Sequence, residues 1–234
     1  MSQSPKKRIV ALLPMKANSE RVKGKNFREF NGKPLFRWIL DTLLAVPEID
    51  EVIINTDARH ILAENGLVDG PRVRIRDRKP EICGDFVSMN LVLADDVANV
   101  PADIYLMTHT TNPLLSLESV RGTLEMFEQG LADGSCDSVF TVNKFQTRFY
   151  REDGSAINHD PDNLIRTQDL EPWYEENSNL YAFTAESFAR TRARIGKKAK
   201  MYVMGRTESV DIDDAESWQM AEAMSKYLLA RQQA

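Results

Sequence analysis

Cysteine chemistry and membrane insertion have little to work with in this sequence. Cys83 and Cys136 are the only two cysteines among 234 residues, and their spacing fits no metal site. That scarcity excludes a disulfide framework and points to a reduced chain. No stretch approaches transmembrane length. The apolar run from Ile9 to Leu13, after Lys6-Lys7-Arg8, imitates a signal peptide, but it is too short and meets Lys16 with no small-residue cleavage site. A soluble, cytoplasmic protein without a membrane partner is expected. Positive charge is not in excess either, since 30 Lys and Arg stand against 35 Asp and Glu. The chain as a whole is therefore not built to hold a nucleic-acid backbone. A G-x-x-x-x-G-K-[ST] phosphate loop is missing, because Gly24-Lys25-Asn26 lacks the metal-binding hydroxyl, and so is a G-x-G-x-x-G turn. Repeats, low-complexity tracts and interdomain linkers are also absent, which leaves residues 1–234 as one α/β domain.

What is present is organised around residues 8–35. The run from Ile9 to Leu13 has a β-branched start that suits a strand buried on both faces, and Pro14 ends it for lack of a ladder donor. From Met15 to Asn31 no apolar period appears, and Lys16, Arg21, Lys23, Lys25 and Arg28 make the loop basic. Asn31-Gly32-Lys33-Pro34 turns the chain, and Leu35, Phe36, Ile39, Leu40, Leu43 and Leu44 then recur at helical spacing over 34–46. Strand, basic loop, turn and helix is how an α/β protein builds a polyphosphate site. The plainer alternative is a solvated basic loop between a strand and a helix.

The alternation continues. Strands are expected over 51–55, around Val73 and Ile75, and over 103–107 and 137–142. Helices are expected over 59–65 and 86–97, and from the N-cap Ser116 to about Leu131, with Ser119 where a capping-box acid would sit. Strands alternating with helices predict a doubly wound, mostly parallel sheet. Residues 143–179 break the pattern: polar, aromatic and without a period, they read as short strands and loops forming an excursion. Strand 180–183, helix 185–194, strand 201–204 and helix 213–229 complete the chain.

Four segments carry a resemblance. Residues 14–26, Pro-Met-Lys-Ala-Asn-Ser-Glu-Arg-Val-Lys-Gly-Lys-Asn, resemble the nucleotide-binding loop of the CMP-sialic acid synthetase-like cytidylyltransferases. Lys16 falls where that family usually has Arg, Lys25-Asn26 match its Lys-Asn, and Ala17-Asn18 replace its Gly-Gly. Arg78-Lys-Pro-Glu81 with Asp85 and Ser88 resembles the family's Arg-Pro-x-Glu-Leu-x-x-Asp segment around cytidine. Residues 110–114, Thr-Thr-Asn-Pro-Leu, stand where the family has Gln-Pro-Thr-Ser-Pro-Leu, with His109 at the glutamine position. Val210-Asp211-Ile212-Asp213 resembles its metal-binding string before the last helix. Two carboxylates two residues apart in extended chain share a side, and oxygen ligands of this kind suit Mg²⁺ completed by substrate phosphates. The same residues also suit a simpler role, with Asp213 or Asp214 as N-cap of the last helix.

The resemblance implies a Rossmann-like nucleotidyltransferase that activates an acidic 2-keto-3-deoxy sugar with CTP. It assigns Lys16 and Lys25 to catalysis, and Lys16, Asn18, Ser19, Lys25, Asn26, Arg78, Asp85 and Ser88 to the nucleotide. Asp211 and Asp213 fall to Mg²⁺. It also implies a homodimer, with the excursion at the contact and over the neighbouring site. Candidates for the sugar are His109, Arg148, Arg166 and Glu175, with Arg148 favoured for its aromatic neighbours. Competing readings are a nucleotidyltransferase for another sugar or alcohol, and a non-catalytic nucleotide-binding relative.

Overall fold

The computed structural model describes residues 6–19 and 22–232; Glu20 and Arg21 of the basic loop lie outside them. Strand β1 (Ile9–Leu12) is buried along its whole length. Its side chains alternate between two cores, as a strand covered on both faces requires. Ile9, Ala11 and Leu13 pack with Phe36, Ile39, Leu40 and Leu43 of helix α1 (Leu35–Ala45). Val10 and Leu12 face the opposite core, which holds Leu93 of helix α3 (Met89–Asn99) and Phe188 of helix α5 (Ala185–Thr191). Between α1 and α3 lies the short helix α2 (Arg59–Glu64).

A two-residue hairpin, β2 (Glu29–Phe30) with β3 (Lys33–Pro34), separates the basic loop from α1. The main sheet contains β1, β4 (Glu51–Thr56), β5 (Val73–Asp77), β6 (Ile104–Thr108), β7 (Ser138–Phe145), β8 (Trp173–Phe183) and β9 (Ala199–Val203). Their order is β5-β4-β1-β6-β8-β7-β9. All pairings are parallel except those of β8, which runs antiparallel to both β6 and β7. The chain winds outward from β1 through β4 and β5, then returns to β1's other side as β6. That reversal opens a crevice at the carboxyl ends of β1 and β6, where α/β sheets bind ligands.

The expected α/β class and mostly parallel sheet are present, while several boundaries differ. Residues 143–145 and 173–179 belong to β7 and β8, so only 146–172 forms an irregular tip. The mixed polarity of these strands hid them, because they project past the sheet and cover no core. Helix α3 starts after Ser88, whose hydroxyl accepts from the Asn90 amide, and Phe86 lies outside it in solvent. Helix α5 stops at Thr191 because Arg192 is left-handed, at φ 54°, so Arg194 falls in the following loop. Helix α4 (Leu117–Asp133) begins on Ser116 as expected, but its capping acid is distant in sequence: Glu208 accepts from the Ser116 amide at 3.0 Å and the Ser119 hydroxyl at 2.7 Å. Asp214 caps helix α6 (Ala215–Gln232), accepting from the Ser217 amide at 2.8 Å. Among the described residues, no helix is long and apolar enough to cross a membrane.

One buried polar network stiffens the carboxyl edge. Asp96 on α3 accepts from the Asn55 amide at 2.8 Å and pairs with Arg76, while Arg78 Nε donates to Asn55 Oδ1 at 3.0 Å. Desolvation pushes the Asp96 carboxyl up to about 6, against the pull of Asn55 and Arg76. Its contribution to stability is thus complete below 3.8 and is lost as pH rises through about 6. Replacing Asp96 by Asn should flatten the stability curve across that interval, read from urea midpoints. A slope like the parent's would mean that Asp96 does not titrate there.

Candidate active site

The basic loop leaves β1 along the edge of β4, with the Leu13 amide bonded to the Ile53 carbonyl at 2.8 Å and Met15 to Asn55 at 3.1 Å. Gly24, at φ 63°, lets the chain enter a tight turn over Lys25–Phe27 without the strain a side chain would bring. That turn buries Lys25 and Asn26. Asn26 is a staple: its amide donates to the Lys16 carbonyl at 2.8 Å and its oxygen accepts from Thr110 at 2.6 Å. Lys25, only 8% exposed, donates through Nζ to the carbonyl of Ile212, and its ammonium lies 4.0 Å from Asp213 Oδ1.

Lys16, Ser19, Lys25, Asn26, Arg78 and His109 all line one cleft at the β1–β6 crevice. The structure therefore gathers residues spread from Lys16 to His109 in sequence, among them most of those assigned to a nucleotide. Lys16 pairs with Asp85 at the mouth. Arg78 spends Nε on the Asn55 side chain and Nη2 on the carbonyls of Met15 at 3.1 Å and Asn55 at 2.8 Å, fixing the ends of β1 and β4. Two positions differ from expectation. Asn18 is exposed on the loop rather than lining the cleft, and Ser88 caps α3 and borders a neighbouring depression.

Asp211 and Asp213 flank Ile212, whose side chain is fully buried with Val22, Phe30, Leu35 and Trp218. The Ile212 amide bonds to the Thr111 carbonyl at 2.9 Å, which brings this stretch beside the exit of β6. With Ile212 turned inward, the flanking residues face the other side, where Asp213 lies beside Lys25. Among the described residues no cluster of three or more metal-type side chains occurs. Two carboxylates two residues apart, completed by substrate phosphates, would fit the sparse protein coordination that Mg²⁺ prefers.

The expected sugar residues divide. His109 lies in the cleft, whereas Arg148, Arg166 and Glu175 sit on the β7–β8 projection. There Arg148 donates to the Ile165 carbonyl at 2.6 Å, Arg166 pairs with Asp169 and Glu175 accepts from Asn143 at 2.9 Å. The aromatics near Arg148 pack on one another, Phe149 stacking on Trp173 at 5.2 Å, instead of walling a pocket. Three residues that sequence reasoning passed over adjoin His109. Arg194 approaches His109 Nε2 at 3.4 Å, lies over the Tyr181 ring at 3.8 Å and reaches Glu176 at 3.5 Å. Burial pushes the Tyr181 phenol up to about 12, so it stays protonated and donates to Glu176. Desolvation, with Arg194 and Lys25 nearby, pushes His109 down to about 3, which leaves a neutral ring at neutral pH.

A family model described as Cytidylyltransferase matches residues 10–229, nearly the whole chain. The chain belongs to the cytidylyltransferase family. Among curated cytidylyltransferases it is 28% identical, over 224 residues, to the N-acylneuraminate cytidylyltransferase of Oncorhynchus mykiss, covering 93% of this chain and 50% of that protein. The CMP-N,N'-diacetyllegionaminic acid synthase of Legionella pneumophila is 26% identical over 228 residues, covering 93% of this chain and 96% of the other. In fold it is similar to the 4-diphosphocytidyl-2C-methyl-D-erythritol synthase of Anaerococcus prevotii, with a TM-score of 0.67 at 17% identity, covering 94% of this chain and 96% of that one.

The burial of Lys25 changes what its removal should do. From sequence it stands in a polar loop, where truncation would leave the melting point alone. In the structure Lys25→Ala strips the Ile212 carbonyl of its donor, a loss of about 1–3 kcal/mol. Turnover should also fall about 10²-fold, as for loss of one preorganised donor. A lowered melting midpoint with unchanged kcat would confine Lys25 to a structural role.

Proposed function

We propose that this protein transfers the cytidylyl group of CTP to the anomeric hydroxyl of an acidic 2-keto-3-deoxy sugar and releases pyrophosphate. The observation that carries the reading is that Lys16 and Lys25 line one cleft, that Asp213 lies 4.0 Å from Lys25, and that a second, cation-bearing depression adjoins the cleft. Sugar acids of this class appear in the names of the relatives from Oncorhynchus mykiss and Legionella pneumophila. In the reaction the hydroxyl oxygen forms a bond to the α-phosphorus while the bond to the bridging oxygen breaks, the electrons leave with pyrophosphate, and the hydroxyl proton is released to water. Such chemistry asks mainly for positioning and charge neutralisation.

Lys16 and Lys25 supply fixed positive charge for the α-phosphate and the leaving group. Asp211 and Asp213 would hold Mg²⁺, which when bound adds charge neutralisation on the phosphates. Arg78 keeps the cleft's backbone in place and lines it on the side of the base. His109 does not take the proton of the attacking hydroxyl, because a group at about 3 is too weak a base at neutral pH. A homodimer is proposed through the β7–β8 projection, where Tyr150, Leu164, Ile165, Trp173 and Tyr174 expose apolar surface. Free thiols at Cys83 and Cys136 suit a reducing, cytoplasmic setting.

The test is pyrophosphate release from each of the four nucleoside triphosphates with Mg²⁺ and a panel of 2-keto-3-deoxy sugar acids, with a polyol phosphate that has no carboxylate included. CTP with one or more acids should turn over best; release with the polyol alone, or equal use of UTP, would overturn the reading. Replacing Asp211 or Asp213 by Asn should lower activity and Mg²⁺ dependence together, and the double variant should be little worse than the poorer single one. If each single variant answers Mg²⁺ as the parent does, the metal is held elsewhere.

A further inference from the structure

Beside the nucleotide cleft, and sharing Met89 with it, lies a second depression between the start of α3 and the loop after α5. Among the described residues that line it, Arg194 is the one cation and Glu176 the one anion. We propose that Arg194 receives the carboxylate of the sugar acid within its own chain, and that Glu176 occupies this position until the acid binds. The inference rests on the acidic-acceptor reading above.

Three observations favour Arg194 over the other arginines. Its guanidinium is held in place, stacked 3.8 Å above the Tyr181 ring with Nη2 donating to the phenol oxygen at 2.9 Å. Its remaining contacts are weak: Nη1 lies 3.4 Å from His109 Nε2 and 3.8 Å from Met107 Sδ. An arginine so oriented, with five donors, keeps capacity for a two-pronged bond to a carboxylate. The anion now nearest is easily displaced, because Glu176 stands 3.5 Å away, is partly exposed and is already engaged by Tyr181. By contrast, Arg148 and Arg166 are committed to Ile165 and Asp169 on the projection.

The position of Arg194 has a backbone cause. Left-handed Arg192 ends α5 and turns the chain, which carries residue 194 back over the ends of β6 and β8. Its neighbours Arg190 and Arg192 are the same residue type, so nothing in the sequence singles it out. His109 completes the arrangement: kept neutral, it adds no charge against the incoming acid, and its ring nitrogen helps orient the guanidinium.

The experiment uses the best acid from the panel and its carboxamide analogue, with wild type, Arg194→Ala and Arg194→Lys. Wild type should prefer acid to amide about 10²-fold in kcat/KM, the scale of one charge-assisted bidentate pair. In Arg194→Ala that preference should vanish through a rise in KM for the acid, with KM for CTP unchanged, and Arg194→Lys should restore part of it. An Arg194→Ala enzyme that still tells acid from amide as wild type does would overturn the assignment. If the alanine variant does not fold, an Arg194→Lys enzyme with the parent's KM for the acid and the parent's preference would overturn it equally. Absence of turnover with every acid in wild type would instead sink the acidic-acceptor reading, and this inference with it.

Discussion

An ammonium group withdrawn from water must find oxygen, and the partner that Lys25 finds is 187 residues away in sequence. Its bond to the Ile212 carbonyl closes the nucleotide loop against the stretch that precedes α6. Three other features hold that stretch: Ile212's burial beside Phe30 and Trp218, the Ile212 amide on Thr111, and the Asp214 cap on α6. Moving any one of them displaces the two carboxylates relative to the loop. Charge placement in the cleft is therefore a property of the whole fold rather than of a flexible basic segment.

The sheet sets where this can happen. Because β1 is covered on both faces, its neighbours must arrive by crossovers, and parallel crossovers put the carboxyl ends of β1, β4 and β6 on one edge. Met15, Arg78 and Thr110 each lie just past a strand on that edge. Arg78 then bonds the carbonyls of Met15 and Asn55, so two strand ends keep a fixed separation.

The cleft that gathers Lys16, Lys25, Asn26 and Arg78 was legible because each of its parts is short and local. Residues 14–26, 78–88 and 210–213 can each be read alone, and the strands that deliver them have strong apolar runs. The depression around Arg194 was not legible. Arg194 is one arginine among several, Tyr181 reads as core and Glu176 as one acid in Glu175-Glu176-Asn177. Only the left-handed end of α5 and the antiparallel course of β8 bring them to His109. The same strand explains the misplaced excursion. Residues 173–176 cover no core and show no alternation, yet their backbone pairs with β7, and the register shifts before pairing resumes at Tyr181. The registry is set by main-chain hydrogen bonds, with Asn177 filling in for side-chain order by accepting from Thr141 at 2.7 Å.

The cations of the site fall into two kinds, and the difference bears on how anions are admitted. Lys25 and Arg78 lie further in and give hydrogen bonds to carbonyls, which carry no net charge, with Asp213 4.0 Å from the Lys25 ammonium. Lys16 and Arg194 lie at the two openings and meet carboxylates, Asp85 and Glu176, in pairs that water reaches. Exposed pairs are worth roughly 0–1 kcal/mol, so exchanging the carboxylate for a substrate anion costs little. The inner cations sit back within the cleft, whereas the outer ones are masked until an anion of the right shape replaces the side chain. On the proposed reading, a triphosphate would exchange with Asp85 and a sugar carboxylate with Glu176. Each released acid is then left beside the bound substrate, where it repels a second anion and favours donor groups such as hydroxyls and amides. Selection between acidic sugars would then follow from where each candidate places its donors relative to Glu176, once its carboxylate has been fixed.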